Sequence, residues 1–171
     1  MYTNINFIGG IHGVGKGTIC DKIESESNLI HLSASDVLNW GEISDLKNKR
    51  VSRFDESQNR LLTGLKNVIN PNKEYLLDGH FCLLNIEGLP EKVHEKTFMV
   101  INPRTISVVI EDPEIIFYRL LQRDGKGYDL SILAQMQEME IEYAKKLSIK
   151  FNIPYFEIIN GNYSDLLNHL S

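Results

Sequence analysis

Cysteine is nearly absent from this chain: Cys20 and Cys82 are the only two in 171 residues. They form no CxxC pair and no ligand cluster with histidine, so no zinc site is expected. Two unclustered thiols suit a reducing compartment, and the expected location is cytoplasmic. Long apolar runs are missing as well. The longest last a few residues, as at 5–8 where Asn6 interrupts, and none is long enough to span a membrane. No charged leader precedes an apolar stretch at the N-terminus, so no signal peptide is expected. A basic excess is also lacking, since 18 Lys+Arg against 23 Asp+Glu leave a net charge of −5. That balance disfavours a partner such as polymeric nucleic acid, whose phosphates require a basic surface. It leaves room for a small anion held in one local pocket. No repeat, low-complexity tract or Pro/Gly/Ser-rich linker divides the chain.

What is present reads as one compact domain. Hydrophobic residues are 42% and charged residues 24%, which excludes a disordered or fibrous chain. A chain of this length buries about 70% of its unfolded surface and needs no disulfide or metal staple. Short apolar runs at 5–8, 29–32, 75–77, 107–110 and 155–159 lack the alternation of a one-sided sheet, which is how covered parallel strands read. Helical patterns fall between them. One follows the first run directly at 16–26. Another, at 56–69, carries Leu61, Leu62, Leu65, Val68 and Ile69 on one face. Pro113 suits the first turn of a helix reaching about Gln122. The longest, 130–151, has a stripe of Leu133, Met136, Tyr143, Ala144, Leu147 and Phe151, and Pro154 ends it. A last helix spans 164–170 with Ser164 as its expected cap. The expected fold class is α/β, a three-layer sandwich around a five-stranded parallel sheet. Two less regular stretches, 39–53 and 123–129, are the expected mobile elements.

The strongest chemical signal is Gly10-Ile11-His12-Gly13-Val14-Gly15-Lys16-Gly17-Thr18, set between an apolar strand and a helix. Glycines let the loop amides wrap phosphate oxygens and take positive φ. The helix beginning near Lys16 adds its amides and partial positive charge. The expected nucleotide contacts are the backbone of Gly10, Gly13, Val14, Gly15 and Gly17, with Lys16 reaching the β- and γ-phosphates. Gly17 is expected to extend the tight turn, and Thr18 to ligate Mg²⁺. His12 is either a polar loop residue or a catalytic one. Downstream, Tyr75-Leu76-Leu77-Asp78 is a strand ending in a carboxylate, which would orient the Mg²⁺ shell through water. An Asp before Gly79 also serves as a plain turn residue.

The form Gly-x-x-Gly-x-Gly-Lys-Gly-Thr resembles the phosphate loop of adenylate kinases, and the later layout resembles the archaeal-type members and related small P-loop kinases. Leu77-Asp78-Gly79-His80 resembles that group's strand-Asp-x-His. Asn102-Pro103 ahead of the 105–110 run, and the arginines Arg119 and Arg123, resemble its fourth strand and its lid. The resemblance implies a P-loop NTPase fold of the nucleoside monophosphate kinase type, with ATP and Mg²⁺ as cofactors. It further implies an acceptor-binding segment at about 33–70, a short lid at about 119–130, and Asn160 beside the adenine. The chain departs from the common pattern in having His12 inside the loop and His80-Phe81-Cys82 where an Asp-Gly-Phe-Pro-Arg run would place an arginine.

Phosphoryl transfer needs alignment and charge neutralisation more than covalent help. Arg119 and Arg123 lie one turn apart ahead of Gly125 and Gly127, so they suit an electrostatic clamp on ATP; otherwise they are ion-paired surface arginines, with Glu111 and Asp112 nearby. On the acceptor side, Ser35 and Asp36 open a helix after the second strand, either as a cap or as acceptor ligands. Arg53, with Arg60 two turns on, is the first choice to fork the acceptor phosphate; the alternative is a solvated arginine. His80 either touches the acceptor or is a satisfied interior histidine. Glu140 falls in the apolar stripe, where an unpaired carboxylate is costly. It is expected to pair with Arg119, Arg123 or a backbone group and to brace the lid, unless a helix bend leaves it in water.

The function that fits is ATP-dependent transfer to a nucleoside monophosphate, with small nucleotides as the partners. The alternatives are a small-molecule kinase on the same scaffold and a non-catalytic ATP-binding regulatory module.

Overall fold

The computed structural model describes residues 2–37, 53–85, 87–125 and 127–171, and the side chains of all of these except 53–60. Strand β1 (Ile5–Gly9) is buried along its whole length and feeds a glycine-rich loop into helix α1 (Lys16–Glu26). Next come β2 (Ile30–Ser33), α2 (Ala34–Val37), α3 (Arg53–Val68) and β3 (Tyr75–Asp78). A short antiparallel hairpin of β4 (Cys82–Leu84) and β5 (Pro90–Lys92) precedes α4 (Glu95–Ile101) and β6 (Thr105–Ile110). The chain ends with α5 (Pro113–Asp124), α6 (Leu130–Phe151), β7 (Tyr155–Ile159) and α7 (Ser164–Leu170).

The five long strands form one sheet in the order β2-β3-β1-β6-β7, with parallel pairing throughout. The α/β fold with its five-stranded parallel sheet and flanking helices is thus present. β1 is the central strand, with Ile8 beside Asp78 on one side and Ser107 on the other. The order of connection reverses around it, and open α/β sheets bind ligands at the carboxyl ends of strands at such a point. The polar interruption at Asn6 has a local reason. Its side chain donates to the Tyr75 carbonyl at 3.4 Å and accepts from the Thr105 hydroxyl at 3.1 Å, so it is satisfied between its two neighbouring strands.

Each face of the sheet carries its own core. Ile5, Phe7, Leu77, Ile106 and Val108 pack with α3 and α4, including Leu65, Phe98 and Ile101. Ile8, Leu76, Val109 and Ile158 pack with α1, α5 and α7, including Ile23, Ile116 and Leu166. Fully burying a side chain of this kind stabilises by about 1.5–3 kcal/mol. Helix α6 serves both. Leu133 and Met136 join the second core, whereas Tyr143, Ala144 and Leu147 join the first, with Glu140 between them.

Helix starts follow their capping chemistry. Asp112 accepts from the Glu114 amide at 2.8 Å, with Pro113 opening α5. Asp129 accepts from the Ser131 amide at 2.8 Å and starts α6. At α7 the expectation of a Ser164 cap is corrected: Ser164 is the first helical residue, Tyr163 precedes it, and the Asn162 side chain accepts from the Ser164 amide at 3.2 Å. The β4–β5 hairpin and α4 were not expected, because strands of three residues and a helix of seven are too short to show a period. Of the expected mobile stretch at 39–53, all but residue 53 lies outside the described residues.

Candidate functional site

The loop between β1 and α1 turns on glycines. Gly13 has φ 79° and Gly15 has φ 101°, conformations that favour glycine. A Cβ on Gly13 would lie 2.7 Å from Leu120 Cγ, so α5 is packed directly against the loop. Gly15 is the N-cap of α1 and supplies no side-chain hydrogen bond to the helix. No side-chain cap therefore covers the first-turn amides, which suits them to an anion. Gly17 does not extend the turn as expected. It is the second residue of α1, and a Cβ there would meet nothing within 4 Å.

Lys16 points into the loop it follows. Its side-chain ammonium donates to the carbonyls of Gly10 at 2.7 Å and Ile11 at 3.2 Å, and the residue is only 8% exposed. Burial lowers its pKa, while the carboxylates of Glu140 and Asp78 act in the opposite sense. Thr18 lies in the first turn of α1 with its surface exposed.

Two imidazoles stand beside this loop. The rings of His12 and His80 are 4.2 Å apart between centroids. His12 keeps part of its surface in water, yet desolvation of its ring, reinforced by Lys16 and Arg123, lowers its pKa to about 4. His80 is lowered well below its ordinary value by burial, with Lys16 and His12 adding to the shift. Both rings are therefore neutral near pH 7.

Glu140 is fully buried behind the loop. Its Oε1 accepts from the amides of Phe81 at 3.0 Å and Cys82 at 2.9 Å. Burial pushes its pKa up to about 7, against the pull of the Cys82 amide, Lys16, and the amides of Phe81 and Gly10. The partner of Glu140 is thus backbone in the segment after β3, and neither Arg119 nor Arg123 is a partner. Its brace runs from α6 to that segment and toward the phosphate loop. Oε2 of Glu140 and Nδ1 of His80 are buried without a hydrogen-bond partner among the described residues.

Asp78 ends β3 beside the loop, and its Oδ2 lies 2.7 Å from His31 Nε2. The other nitrogen of His31 faces Asp21 Oδ1 at 3.0 Å. Hydrogen bonding to Asp78 and Cys20 raises His31 to about 11, so the ring is charged. Sequence reasoning missed His31. The available signal was a histidine inside an apolar strand, a place that demands a partner. The expectation that the cysteines form no ligand cluster with histidine is corrected by the fold: Cys20, His31 and Asp78 bring their donor atoms within 4.8 Å of one another.

The arginines sit on α5 and not in a loop. Arg119 donates to the Val14 carbonyl at 3.2 Å and to Glu111 Oε2 at 3.0 Å. Arg123 pairs with its neighbour Asp124, Nε to Oδ1 at 2.6 Å, and the Asp124 carboxylate also accepts from the Tyr128 hydroxyl. Gly125 ends α5 with φ 67°. Asn160 and Gly161 form a positive-φ turn after β7, with the Asn160 amide donating to the Ile110 carbonyl. On the acceptor side, Ser35 and Asp36 lie exposed in α2, and the Ser35 hydroxyl meets that of Ser33 at 2.6 Å. Arg53 is the first residue of α3; its side chain and that of Arg60 lie outside the described residues.

A family model described as an AAA domain, AAA_17, matches residues 9–137. A local stretch of 35 residues is 54% identical to a Caenorhabditis elegans protein named UMP-CMP kinase 2, covering 20% of this chain and 18% of that relative. Among solved structures, an unliganded sugar kinase from Janibacter sp. HTCC2649 superposes with a TM-score of 0.57 at 13% identity, covering 98% of this chain and 91% of that one. An uncharacterized protein from Eubacterium ventriosum ATCC 27560 gives 0.51 at 12% identity, covering 98% and 96%. At such identities these likenesses show the fold alone.

Proposed function

The chain belongs to the AAA_17 family, a P-loop kinase-like domain, and from that premise we propose that it transfers a phosphoryl group from ATP to a nucleoside monophosphate, in the manner of an adenylate kinase. The observation that carries the reading is the position of Lys16: a buried ammonium inside a glycine loop, at the start of a helix whose first amides no side chain caps. Fixed donors of this kind stabilise charge that develops on a transferring phosphoryl group. The short match to a protein named UMP-CMP kinase 2 supports a nucleotide as acceptor.

In this reading the loop backbone from Gly10 to Gly17 holds the triphosphate. The open space over Gly17 lets phosphate approach α1 closely. Arg119 already touches the loop through the Val14 carbonyl, and Arg123 lies one turn further along the same helix, so the two supply charge from one side. Asn160 borders the base. Ser35, Asp36 and Arg53, within a segment at about 33–70, and His80 are the residues assigned to the acceptor, and the lid is the short stretch at about 119–130. Neutral His12 and His80 add no charge to the phosphate site, which leaves Lys16 as the cation of the loop.

The residues fit a magnesium ion: Thr18 is exposed at the helix start, and His31 holds Asp78 Oδ2, leaving Oδ1 for a water-bridged ion. Such an ion, when bound, neutralises charge between the β- and γ-phosphates.

The test is a panel of acceptors with ATP and a coupled ADP readout, run beside Lys16→Ala. Turnover stimulated by AMP, CMP or UMP, and lost in Lys16→Ala by about 100-fold or more, is the expected result. Stimulation by sugars alone would reassign the acceptor. ATP binding without stimulation by any acceptor would replace catalysis with regulation.

A further inference from the structure

Cys20, His31 and Asp78 come from three packed elements: α1, β2 and β3. Cys20 is fully buried in the core face of α1. His31 and Asp78 lie on paired strands, where Leu32 stands beside Leu77 and Ser33 beside Asp78. The sulfur, imidazole nitrogen and carboxylate oxygen lie within 4.8 Å of one another. We propose that these three side chains form a site for one thiophilic divalent cation, with zinc the ion whose chemistry fits best. The inference goes beyond the phosphotransferase reading and does not depend on it.

The donor set selects the ion. Zinc accepts one sulfur, one imidazole and one carboxylate at about 2.0–2.3 Å, whereas magnesium avoids thiolate and prefers oxygen. Tetrahedral bonds of that length set ligand atoms about 3.3–3.8 Å apart. Atoms already within 4.8 Å of one another therefore need only small side-chain rotations. The 2.7 Å contact between His31 and Asp78 must open by roughly half an ångström to reach that spacing. Binding replaces the thiol proton and the proton shared by His31 and Asp78, and both pass to solvent. His31 and Asp78 are 15% and 14% exposed, which provides entry and leaves the fourth position to water.

A second observation supports a built site. Asp21 Oδ1 faces the far nitrogen of His31 at 3.0 Å. Metal-binding histidines are oriented by such a carboxylate on the nitrogen that does not bind the ion. The same region offers a rival. Asp21, Glu24 and His31 form a more exposed group on the outer face of the ring. That set lacks a thiolate, and its Glu24 Oε1 already accepts from the His31 amide at 2.9 Å.

Cobalt(II) separates the two, because only a bound thiolate produces a sulfur-to-cobalt charge-transfer band in the near ultraviolet. Titration of Co²⁺ into the full chain without nucleotide should raise this band to one equivalent, and Zn²⁺ should abolish it by displacement. Cys20→Ser and Cys20→Ala should both lose the band and weaken Zn²⁺ binding by more than about 100-fold, since even the loss of an orienting partner costs 10–100-fold. Asp21→Asn should weaken binding by about 10-fold and keep the band. Glu24→Gln should bind as the natural chain does. Zn²⁺ should also raise the melting temperature of the natural chain and of Glu24→Gln but leave that of the Cys20 variants unchanged, and a cooperative melt of those variants without Zn²⁺ shows that they fold. The absence of a charge-transfer band in the natural chain, or unchanged Zn²⁺ affinity in both Cys20 variants, overturns the proposal.

Discussion

His12 and His80 stand with ring centroids 4.2 Å apart and planes inclined by 43°, one on the phosphate loop and one just past Asp78. The groups facing His12 are Lys16, Arg123, Asp124 and His80. Desolvation and the first two of these hold its pKa at about 4, against 6.5 for a free imidazole. Between those values the unfolded chain binds a proton that the folded chain does not. The contribution of neutral His12 to stability is therefore complete above about pH 6.5 and is lost as pH falls toward 4. Melting temperature measured against pH should fall more steeply over this window in the natural chain than in His12→Asn, with the difference between the two constant above pH 7. A difference that stays constant across the window would show that His12 titrates normally.

Glu140 shifts the other way. Its carboxyl is raised from 4.5 to about 7, so between those values the folded chain binds the extra proton. Its charge lowers stability as pH rises through the window, fully so above about 7. Glu140→Gln keeps an acceptor for the Phe81 and Cys82 amides and should remove this slope, as read from the difference in melting temperature against pH. Glu140→Ala leaves both amides buried without an acceptor and should cost about 2–5 kcal/mol in denaturant unfolding. Equal stability of the Ala and Gln variants would refute the strut.

Gly13 in the loop and Gly17 in the first turn of α1 should respond in opposite directions. Gly13→Ala places a methyl 2.7 Å from Leu120 Cγ at φ 79° and should cost about 1–3 kcal/mol. Gly17→Ala meets nothing within 4 Å inside a helix and should stabilise by about 0.5–1 kcal/mol. The same methyl enters the space assigned to phosphate, so calorimetry should show weaker ATP binding in this more stable variant. Undiminished affinity would place the phosphates elsewhere.

Arg119 and Arg123 should separate kinetically. Arg123 is largely exposed and pairs with an adjacent aspartate. Arg123→Ala should lower kcat by about 100-fold while leaving the melting temperature within about a degree or two. Arg119 also anchors the loop at the Val14 carbonyl, so Arg119→Ala should raise KM for ATP as well as lower kcat. Steady-state kinetics with thermal melts decides between them, and an unchanged kcat in Arg123→Ala removes the clamp.

The sheet was legible as short apolar runs without alternation, and the principal helices between them as apolar stripes or by what flanks them. The 22 residues of α6 fall where apolar spacing and the stop at Pro154 put them, and the 11 of α1 where the glycine-rich loop after the first strand put a helix. The β4–β5 hairpin escaped because three residues carry no readable alternation. Within the candidate site, the loop was legible because its residues are consecutive. Glu140 announced itself as a carboxylate in an apolar stripe, but its acceptor role toward amides 58 and 59 positions away depends on how α6 crosses the sheet. The meeting of Cys20 with His31 and Asp78 was equally hidden, since strand register sets it and no local spacing encodes it.

Because α6 seals both cores along its length, neither can melt without stripping cover from the other. The two sides of the sheet are thereby tied into one cooperative unit. Amide protons near the middle of α6 should exchange only through global opening, which makes this helix the keystone of the molecule.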